Sequence, residues 1–129
     1  MFKDTKAFSG FAVDDIDKAR EFYGSVLGIE LGAEEMGLLT LKLGGNRPTI
    51  VYPKPDFEPA TYTILNFPVD DIDAAVDELI ERGVAMEIYD GFGQDERGIS
   101  RNEYGPPIAW FRDPAGNILA VLEAGGPEV

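Results

Sequence analysis

The stretch Phe11-Ala-Val-Asp-Asp-Ile-Asp-Lys-Ala19 recurs, 56 residues later, as Phe67-Pro-Val-Asp-Asp-Ile-Asp-Ala-Ala75. Seven of the nine positions are identical. Each copy follows a run typical of a β-strand and precedes a pattern with the three- and four-residue spacing of an amphipathic helix. Two copies are too few for a solenoid, so the repeat indicates a duplicated module within one domain.

The repeated acidic cluster marks the start of each predicted helix. Asp14 or Asp15 is placed to cap the first helix, and further acids in the first turn favour the helix dipole. The first helix is predicted to end at Gly28 and the second at Gly83, since glycine is common just after a helix. A metal site is the weaker interpretation of this cluster, because it lacks the glycine and the distal glutamate of a calcium loop.

The pattern after each helix changes to short strands, so each module is predicted to be β-α-β-β-β. Strands are expected at 29–34, 38–43 and 49–52 in the first module, and at 84–89, 108–112 and 117–123 in the second. Asp113-Pro-Ala-Gly116 is typical of a tight turn. We therefore predict an α+β fold in one domain, with module one at 1–53, a linker at 54–60, module two at 61–123 and a tail at 124–129.

The composition excludes several kinds of site. The 129-residue chain contains no histidine and no cysteine, which excludes zinc fingers, iron–sulfur clusters, disulfides and catalysis by a thiol or a histidine. A metal would have to be held by carboxylates and carbonyls, which suit magnesium, calcium or manganese. The long polar loop at 90–105 is a candidate functional segment, because loops of this length in a compact domain often carry function.

The chain is acidic, with 24 acidic and 11 basic side chains and a net charge of −13. This charge disfavours nucleic acids and anionic membranes as partners and favours cationic ligands. Most of it lies in residues 65–129, which hold 14 acids and 4 bases, although a solvated surface explains the same excess. The charged start of the chain lacks the apolar segment of a signal peptide, and no apolar run is long enough for a membrane span. We expect a cytoplasmic protein.

Two longer stretches carry a resemblance to a known family. They are Phe11-Ala-Val-Asp-Asp-Ile-Asp-Lys-Ala-Arg-Glu-Phe-Tyr-Gly-Ser-Val-Leu-Gly-Ile-Glu30 and Ala109-Trp-Phe-Arg-Asp-Pro-Ala-Gly-Asn-Ile-Leu-Ala-Val-Leu-Glu123. Together with the repeat, they resemble the vicinal oxygen chelate superfamily, which includes glyoxalase I, extradiol dioxygenases, fosfomycin-resistance enzymes and bleomycin-resistance proteins. The resemblance covers nearly the whole chain and implies tandem βαβββ modules that form a curved, open sheet with a cleft. Since this family performs diverse chemistry, the fold alone does not give the function.

Enzymes of this group usually hold a divalent metal in the cleft, and the resemblance places the ligand positions in this sequence. The opening-strand ligands correspond to Phe8 and Ile64, the closing ligand corresponds to Ala120, and the fourth lies near Ile50 or Tyr52. Phenylalanine, isoleucine and alanine have no donor atom for a metal, and a single tyrosine would not hold one. We therefore predict no metal and no other cofactor.

Strand alternation separates residues that pack under the helices from residues that line the cleft. Phe11 and Val13 belong to one set, while Phe8 and Gly10 belong to the other. The predicted ligand-binding residues are Phe8, Gly10, Ile50, Tyr52, Ile64, Asn66, Trp110, Ala120 and the loop residue Tyr104. Two positions stay open for Trp110. It lies on the same side of its predicted strand as Ile108, which is compatible with the cleft, whereas a lone tryptophan in a strand is more often a core residue. Phe57 and Phe92 lie on or beside loops, either closing over a ligand or anchoring the loop. No catalytic residue is predicted.

The resemblance to the bleomycin-resistance branch implies a metal-free, homodimeric protein that sequesters an apolar or cationic organic ligand, a role in antibiotic resistance. Trp110 would stack on the ligand, and loop acids such as Asp95, Glu96 and Glu103 would attract a positive charge. The first alternative is a lyase, isomerase or dioxygenase of the same superfamily with atypical metal ligands or none. The second is a regulatory or interaction module.

Overall fold

A computed structural model describes residues 1–103 and 105–123 of the chain. Its contacts divide the chain into two units, residues 1–59 and the residues from Ala60 onward. The α+β class and the open sheets predicted from the sequence are confirmed, since each unit holds one mixed sheet and one helical segment. Tyr104 and the predicted tail at 124–129 lie outside the described residues. Within the described ranges, no helix is both long and apolar enough to cross a membrane.

The first unit contains a four-stranded sheet. Its elements are β1 Ser9–Val13, α1 Ile16–Arg20, β2 Glu30–Leu31, β3 Leu39–Leu43 and β4 Arg47–Pro53. The strand order is β1-β4-β3-β2, with β1 parallel to β4 and the other pairs antiparallel. Val13, Leu41 and Val51 are at most 1% exposed. They form the core of this unit on the face that the helical segment covers.

The second unit repeats this plan with three strands. Its elements are β5 Thr63–Val69, α2 Ile72–Glu81, β6 Ile108–Arg112 and β7 Ile118–Glu123. The strand order is β5-β7-β6, with β5 parallel to β7 and β6 antiparallel to it. Ile72 and Val76 of α2 are fully buried, as is Leu119 of β7. The core of this unit therefore lies between α2 and one face of the sheet.

The repeated acidic cluster caps both helices, as the sequence predicted. The Asp15 carboxylate accepts hydrogen bonds from the backbone N–H groups of Asp17 and Lys18, and the Asp71 carboxylate accepts one from Ala74. Gly28 and Gly83 follow the helical segments with φ of 71° and 89°. This left-handed conformation costs glycine little, so the predicted ends of the helices are confirmed.

The first helix differs from the prediction in its second half, which is a π-helical segment at Glu21–Val26. The backbone N–H of Leu27 bonds to the carbonyl of Phe22, five residues earlier, at 2.9 Å. The wider turn buries two consecutive aromatic side chains, Phe22 and Tyr23, which are 8% and 0% exposed. Their rings meet edge to face, with centroids 5.2 Å apart. In a regular helix, three- and four-residue steps from Ile16 through Ala19 lead to Tyr23 and not to Phe22.

Two predicted strands are shorter than the sequence indicated. The strand expected at 29–34 is ordered as a strand only over Glu30–Leu31. The strand expected at 84–89 is reduced to one bridge between Met86 and Phe111. In this second case the Gln94 side chain bonds the carbonyl of Glu87 at 2.8 Å and the N–H of Tyr89 at 2.6 Å. A side chain thus replaces the strand partner for these two peptide groups.

The turn predicted at 113–116 connects β6 to β7. The N–H of Gly116 bonds to the carbonyl of Asp113 at 2.9 Å, as in a four-residue turn. The Asp113 carboxylate is 4% exposed and accepts hydrogen bonds from the N–H groups of Ala115 and Asn117 at 2.9 and 2.8 Å. The side-chain amide of Asn117 donates a hydrogen bond to the other carboxylate oxygen of Asp113 at 3.1 Å. The Asp-Pro-x-Gly-Asn motif therefore has a structural role, which is to fix the register of the two strands.

Candidate ligand-binding site

Several predicted ligand-binding residues lie on the helix-free face of the first sheet. Gly10 is paired in register with Ile50, and Ala12 with Tyr52, so these residues share one face. The opposite face holds Phe11, whose ring centroid lies 5.6 Å from that of the buried Tyr23. A Cβ atom at Gly10 would lie 3.2 Å from the Ile50 carbonyl oxygen, which explains glycine at this close approach.

Phe8 lies one residue before β1 and is 67% exposed. Tyr52 is 40% exposed, so the described part of the first unit presents aromatic surface on and beside this sheet face. On the same face, the Lys42 ammonium lies 3.9 Å from the Glu30 carboxylate. The first sheet thus offers an apolar strip next to the Lys42–Glu30 charge pair.

Three predicted residues form a row across the second sheet. Ala120 of β7 is paired in register with Asn66 of β5 on one side and Trp110 of β6 on the other. The alternate residues Ala109 and Phe111 are at most 1% exposed and belong to the face that packs under α2. Trp110 therefore lies on the helix-free face, and its contact with a ligand stays a prediction.

Ile64 is the predicted residue that strand alternation places least well. Thr63 is paired with Ile118, but Leu65 is paired with Leu119, so β5 contains an extra residue at Ile64. A bulge of this kind changes which face the following side chains occupy. The alternation of side chains along β5 is therefore interrupted at Ile64. A role of Ile64 in a ligand site stays a prediction.

An aromatic cluster of Tyr89, Phe92 and Trp110 is the main feature of the helix-free face of the second sheet. The ring centroid of Trp110 lies 5.7 Å from that of Tyr89 and 5.2 Å from that of Phe92, and the Tyr89 and Phe92 centroids are 5.6 Å apart. The interplanar angles are 69°, 57° and 60°, which are favourable tilted and edge-to-face contacts. Phe92 is 48% exposed, so the cluster reaches the surface.

The sequence does not predict Tyr89 as part of the site, and it leaves Phe92 with two roles, closing over a ligand or anchoring the loop. Tyr89 had been assigned to the end of a regular strand at 84–89. The available signal was the spacing Tyr89-Asp-Gly-Phe92, in which two aromatic residues flank a glycine turn. Gly91 has φ of 83°, and the chain reverses there so that both rings reach Trp110.

The loop that carries Phe92 is held by its own polar groups. The Ser100 hydroxyl donates to the Phe92 carbonyl at 2.6 Å, and the Gln94 amide donates to the Gly98 carbonyl at 2.8 Å. Ser100 also exchanges two backbone hydrogen bonds with Ile108, at 2.8 and 3.1 Å. Ile99 is 1% exposed and anchors the loop in the core. The loop therefore holds its aromatic residue in a defined position beside β6.

Two arginines fasten the loop to α2. Arg97 donates hydrogen bonds to the carboxylates of Asp73 and Asp77, the latter at 2.9 Å, and Arg101 donates to Asp73 at 2.7 Å. We call these four residues the arginine clasp. Hydrogen bonds from Arg101 and then Arg97 lower the pKa of Asp73 below its ordinary value. Hydrogen bonds to Asp77 and Asp73 raise the pKa of Arg97.

The acidic loop residues have different positions. The Asp95 carboxylate accepts hydrogen bonds from the N–H groups of Arg97 and Ile99, at 2.9 and 3.0 Å, and from Arg101 at 3.4 Å. The Asp95 carboxylate therefore shapes the loop, and its attraction of a cationic ligand stays a prediction. Glu96 and Glu103 are exposed, and Phe57 is half-buried in the segment that precedes the second unit.

The described residues contain no group of three acidic side chains arranged to hold a metal. A surface cavity of about 430 Å³ lies elsewhere, beside the π-helical segment of the first unit. Its lining includes Gly24, Leu31 and Arg20. The Arg20 guanidinium is already bonded to Asp17 at 2.7 Å and to Glu34 at 2.5 Å. None of the predicted ligand-binding residues within 1–103 and 105–123 lines this cavity.

The sequence and the fold are those of a known superfamily. The sequence model of the Glyoxalase/Bleomycin resistance protein/Dioxygenase superfamily matches residues 8–121. The chain belongs to this superfamily, and the resemblance seen in the sequence is confirmed. Among curated protein sequences, none matches the chain.

Solved structures with the same fold include an antibiotic binding protein. TnmS3, an antibiotic binding protein from Streptomyces sp. CB03234, is 27% identical, with a TM-score of 0.69 over 95% of this chain and 98% of its own. A glyoxalase/bleomycin resistance protein from the same Streptomyces is 28% identical, with a TM-score of 0.62 over 91% and 100%. A glyoxalase family protein from Enterococcus faecalis, 22% identical with a TM-score of 0.72 over 95% and 100%, shares the fold.

Proposed function

We propose that this protein binds a planar or cationic organic ligand without a metal and sequesters it rather than transforming it. The observation that carries the proposal is the aromatic cluster beside Ala120. At the position where the superfamily's enzymes usually have a closing metal ligand, this chain has a fully buried methyl group next to Trp110. Aromatic faces bind flat and positively charged molecules through stacking and cation–π contacts.

The charge of the chain and the similarity to TnmS3 support this proposal. Residues 65–129 contain 14 acidic and 4 basic side chains, a field that attracts cations. TnmS3 is named an antibiotic binding protein, so an antibiotic is a suitable class of ligand to test. Ile50 and Tyr52 on the first sheet stay predicted ligand-binding residues of that sheet.

The experiment is a thermal-shift screen of the full chain against planar and cationic natural products, with and without Mn²⁺ or Mg²⁺. A ligand at 100 times its Kd stabilises a protein by about 2.7 kcal/mol, which is roughly 10 °C in Tm for a domain of this size. Trp110→Ala is expected to abolish most of the shift. Ile80→Ala, which truncates an exposed side chain of α2, is the matched control and is expected to leave it unchanged.

The competing proposal is a lyase, isomerase or dioxygenase with atypical metal ligands, which the breadth of the superfamily favours. Metal analysis of the purified protein separates the two proposals. A tightly held, stoichiometric divalent ion would contradict sequestration without a metal. A lack of response to every compound in the screen would instead favour an interaction module.

We also propose that the protein is a cytoplasmic homodimer, as in the bleomycin-resistance branch that its sequence resembles. Sedimentation velocity at micromolar concentration tests the assembly. A monomer at all concentrations would contradict it. Fractionation of the native cell tests the compartment, and recovery of the protein outside the cytoplasmic fraction would contradict that part of the proposal.

A further inference from the structure

The Tyr89 hydroxyl is a buried polar group with no hydrogen-bond partner among the residues that the structure describes. Native proteins rarely bury a hydroxyl in this way, because it loses its hydrogen bonds to water and gains none in return. An unsatisfied group of this kind therefore needs an explanation.

The hydroxyl is not needed to hold Tyr89 in place. The backbone N–H of Tyr89 bonds to the Gln94 side chain at 2.6 Å. The ring packs against Trp110 and Phe92, with centroid distances of 5.7 and 5.6 Å. A phenylalanine would make the same packing contacts, so the oxygen atom has no role in the fold that the described contacts reveal.

Phe92 is the neighbour that can move and admit a ligand. It is the most exposed ring of the cluster, and its neighbours Gly91 and Gly93 both have positive φ, 83° and 60°. Its carbonyl is held by the Ser100 hydroxyl at 2.6 Å, so displacement of this ring would be a rotation about its own side-chain bonds and not a movement of the loop. A flat ring that takes the place of the Phe92 ring would contact both Tyr89 and Trp110.

The charges near the cluster favour a ligand that donates a hydrogen bond. On the same sheet face as Trp110, the Arg112 guanidinium is paired with the Glu87 carboxylate. Asp90 follows Tyr89 directly and is exposed. The Arg112–Glu87 pair carries no net charge, so Asp90 is the acidic group among these residues that would attract a positively charged ligand, and the Tyr89 oxygen would accept its N–H group.

We infer that the Tyr89 hydroxyl accepts a hydrogen bond from an N–H group of a planar organic cation, which packs in the aromatic cluster when the Phe92 ring turns aside. This inference rests on the proposed function and identifies the polar group that selects among flat ligands. It assigns Tyr89 to binding and Phe92 to a movable cover.

The test compares Tyr89→Phe with the wild-type full chain, using two planar tricyclic cations. Proflavine carries amino N–H donors, whereas 10-methylacridinium carries none. Trp110 is the single tryptophan of the chain, so its fluorescence reports on the cluster directly. Tyr89→Phe is expected to raise the Kd of proflavine roughly tenfold, the effect of one hydrogen bond to a charged group. The Kd of 10-methylacridinium is expected to change less than about twofold.

A second measurement concerns stability, where Tyr89→Phe is expected to have a favourable effect instead of the unfavourable effect on proflavine binding. The Tm of the unliganded protein is expected to rise by about 2–5 °C in Tyr89→Phe, because the variant removes an unsatisfied buried hydroxyl. Tyr62→Phe, which changes a tyrosine that is 70% exposed, is the matched control and is expected to alter neither the Tm nor either Kd.

Three results would overturn the inference. A lower Tm in Tyr89→Phe would show that the hydroxyl already has a partner, such as a bound water. Equal loss of affinity for both dyes, or for neither, would show that the hydroxyl does not recognise the N–H group. The third is the absence of quenching by either dye in the wild type, which would overturn this inference alone. The proposed function would still stand if another compound of the thermal-shift screen stabilised the protein.

Discussion

Replacing Ala120 with glutamate tests whether the second sheet still has room for a metal ligand. Ala120 is 0% exposed and lies in register between Asn66 and Trp110. The superfamily's enzymes usually place a carboxylate at the corresponding position. Ala120→Glu would place a carboxylate at this buried position, beside the Trp110 side chain of the neighbouring strand.

The expected cost has two parts. Forcing extra atoms into a packed site costs about 1–3 kcal/mol. Burying a carboxylate typically raises its pKa by about 3 units, which corresponds to about 4 kcal/mol at neutral pH. The sum, about 5–7 kcal/mol, is comparable to the total stability of many domains. We therefore expect Ala120→Glu to be largely unfolded at neutral pH.

Ala120→Gln is the matched control, because it adds nearly the same volume without the charge. Urea denaturation at pH 7 should place the Gln variant about 1–3 kcal/mol below the wild type and the Glu variant about 4 kcal/mol lower still. Since burial raises the folded-state pKa of the introduced carboxylate above its unfolded value, the two variants should converge as the pH falls below about 4.

Equal stability of the two variants at pH 7 would refute the reasoning, because the introduced charge would then have access to solvent or to a cation. Stabilisation of Ala120→Glu by Mn²⁺, but not of Ala120→Gln, would show that other groups near this position complete a metal site. Either result would favour the enzyme alternative over sequestration without a metal.

Three further predictions concern the parts of the fold that hold the site. Asp113→Ala should lower the free energy of unfolding by about 2–4 kcal/mol, since the carboxylate accepts three hydrogen bonds in a buried turn. Asp113→Asn should lower it by less, and equal losses for the two variants in urea denaturation would contradict this role of the carboxylate. Asp71→Ala should cost about 1 kcal/mol through loss of the helix cap, and no change in the urea midpoint would contradict it. The pKa of Asp73 is lowered in the folded state, so the arginine clasp should be fully present above the ordinary aspartate pKa and be lost as the pH falls through the lowered value. Amide exchange of residues 95–101 should show this loss in the wild type, and a loss that persists in Asp73→Asn would contradict the assignment.

The sequence was sufficient to predict the fold wherever local and long-range preferences agree. The duplicated acidic cluster placed both helix caps correctly, because Asp15 and Asp71 act on backbone N–H groups within three residues. The turn at Asp113 was equally local. The π-helical segment was not predictable in the same way, since it depends on burying Phe22 and Tyr23 together, which is a property of the folded core.

In the candidate site, residues on regular strands could be placed from the sequence, whereas a residue in an irregular segment could not. Gly10 and Ile50 share one sheet face, as do Asn66 and Ala120, because the pairing registers at these positions preserve the strand period of two. Alternation and the family resemblance together were sufficient to name these residues, and ligand binding by them stays a prediction. Alternation could not place Tyr89, whose backbone is bonded by the Gln94 side chain rather than by a strand. Such a bond depends on a loop that folds back, and no spacing rule encodes it. The irregular segment is thus the source of both the prediction error and the unsatisfied hydroxyl, which fits the general observation that departures from local rules concentrate at functional positions.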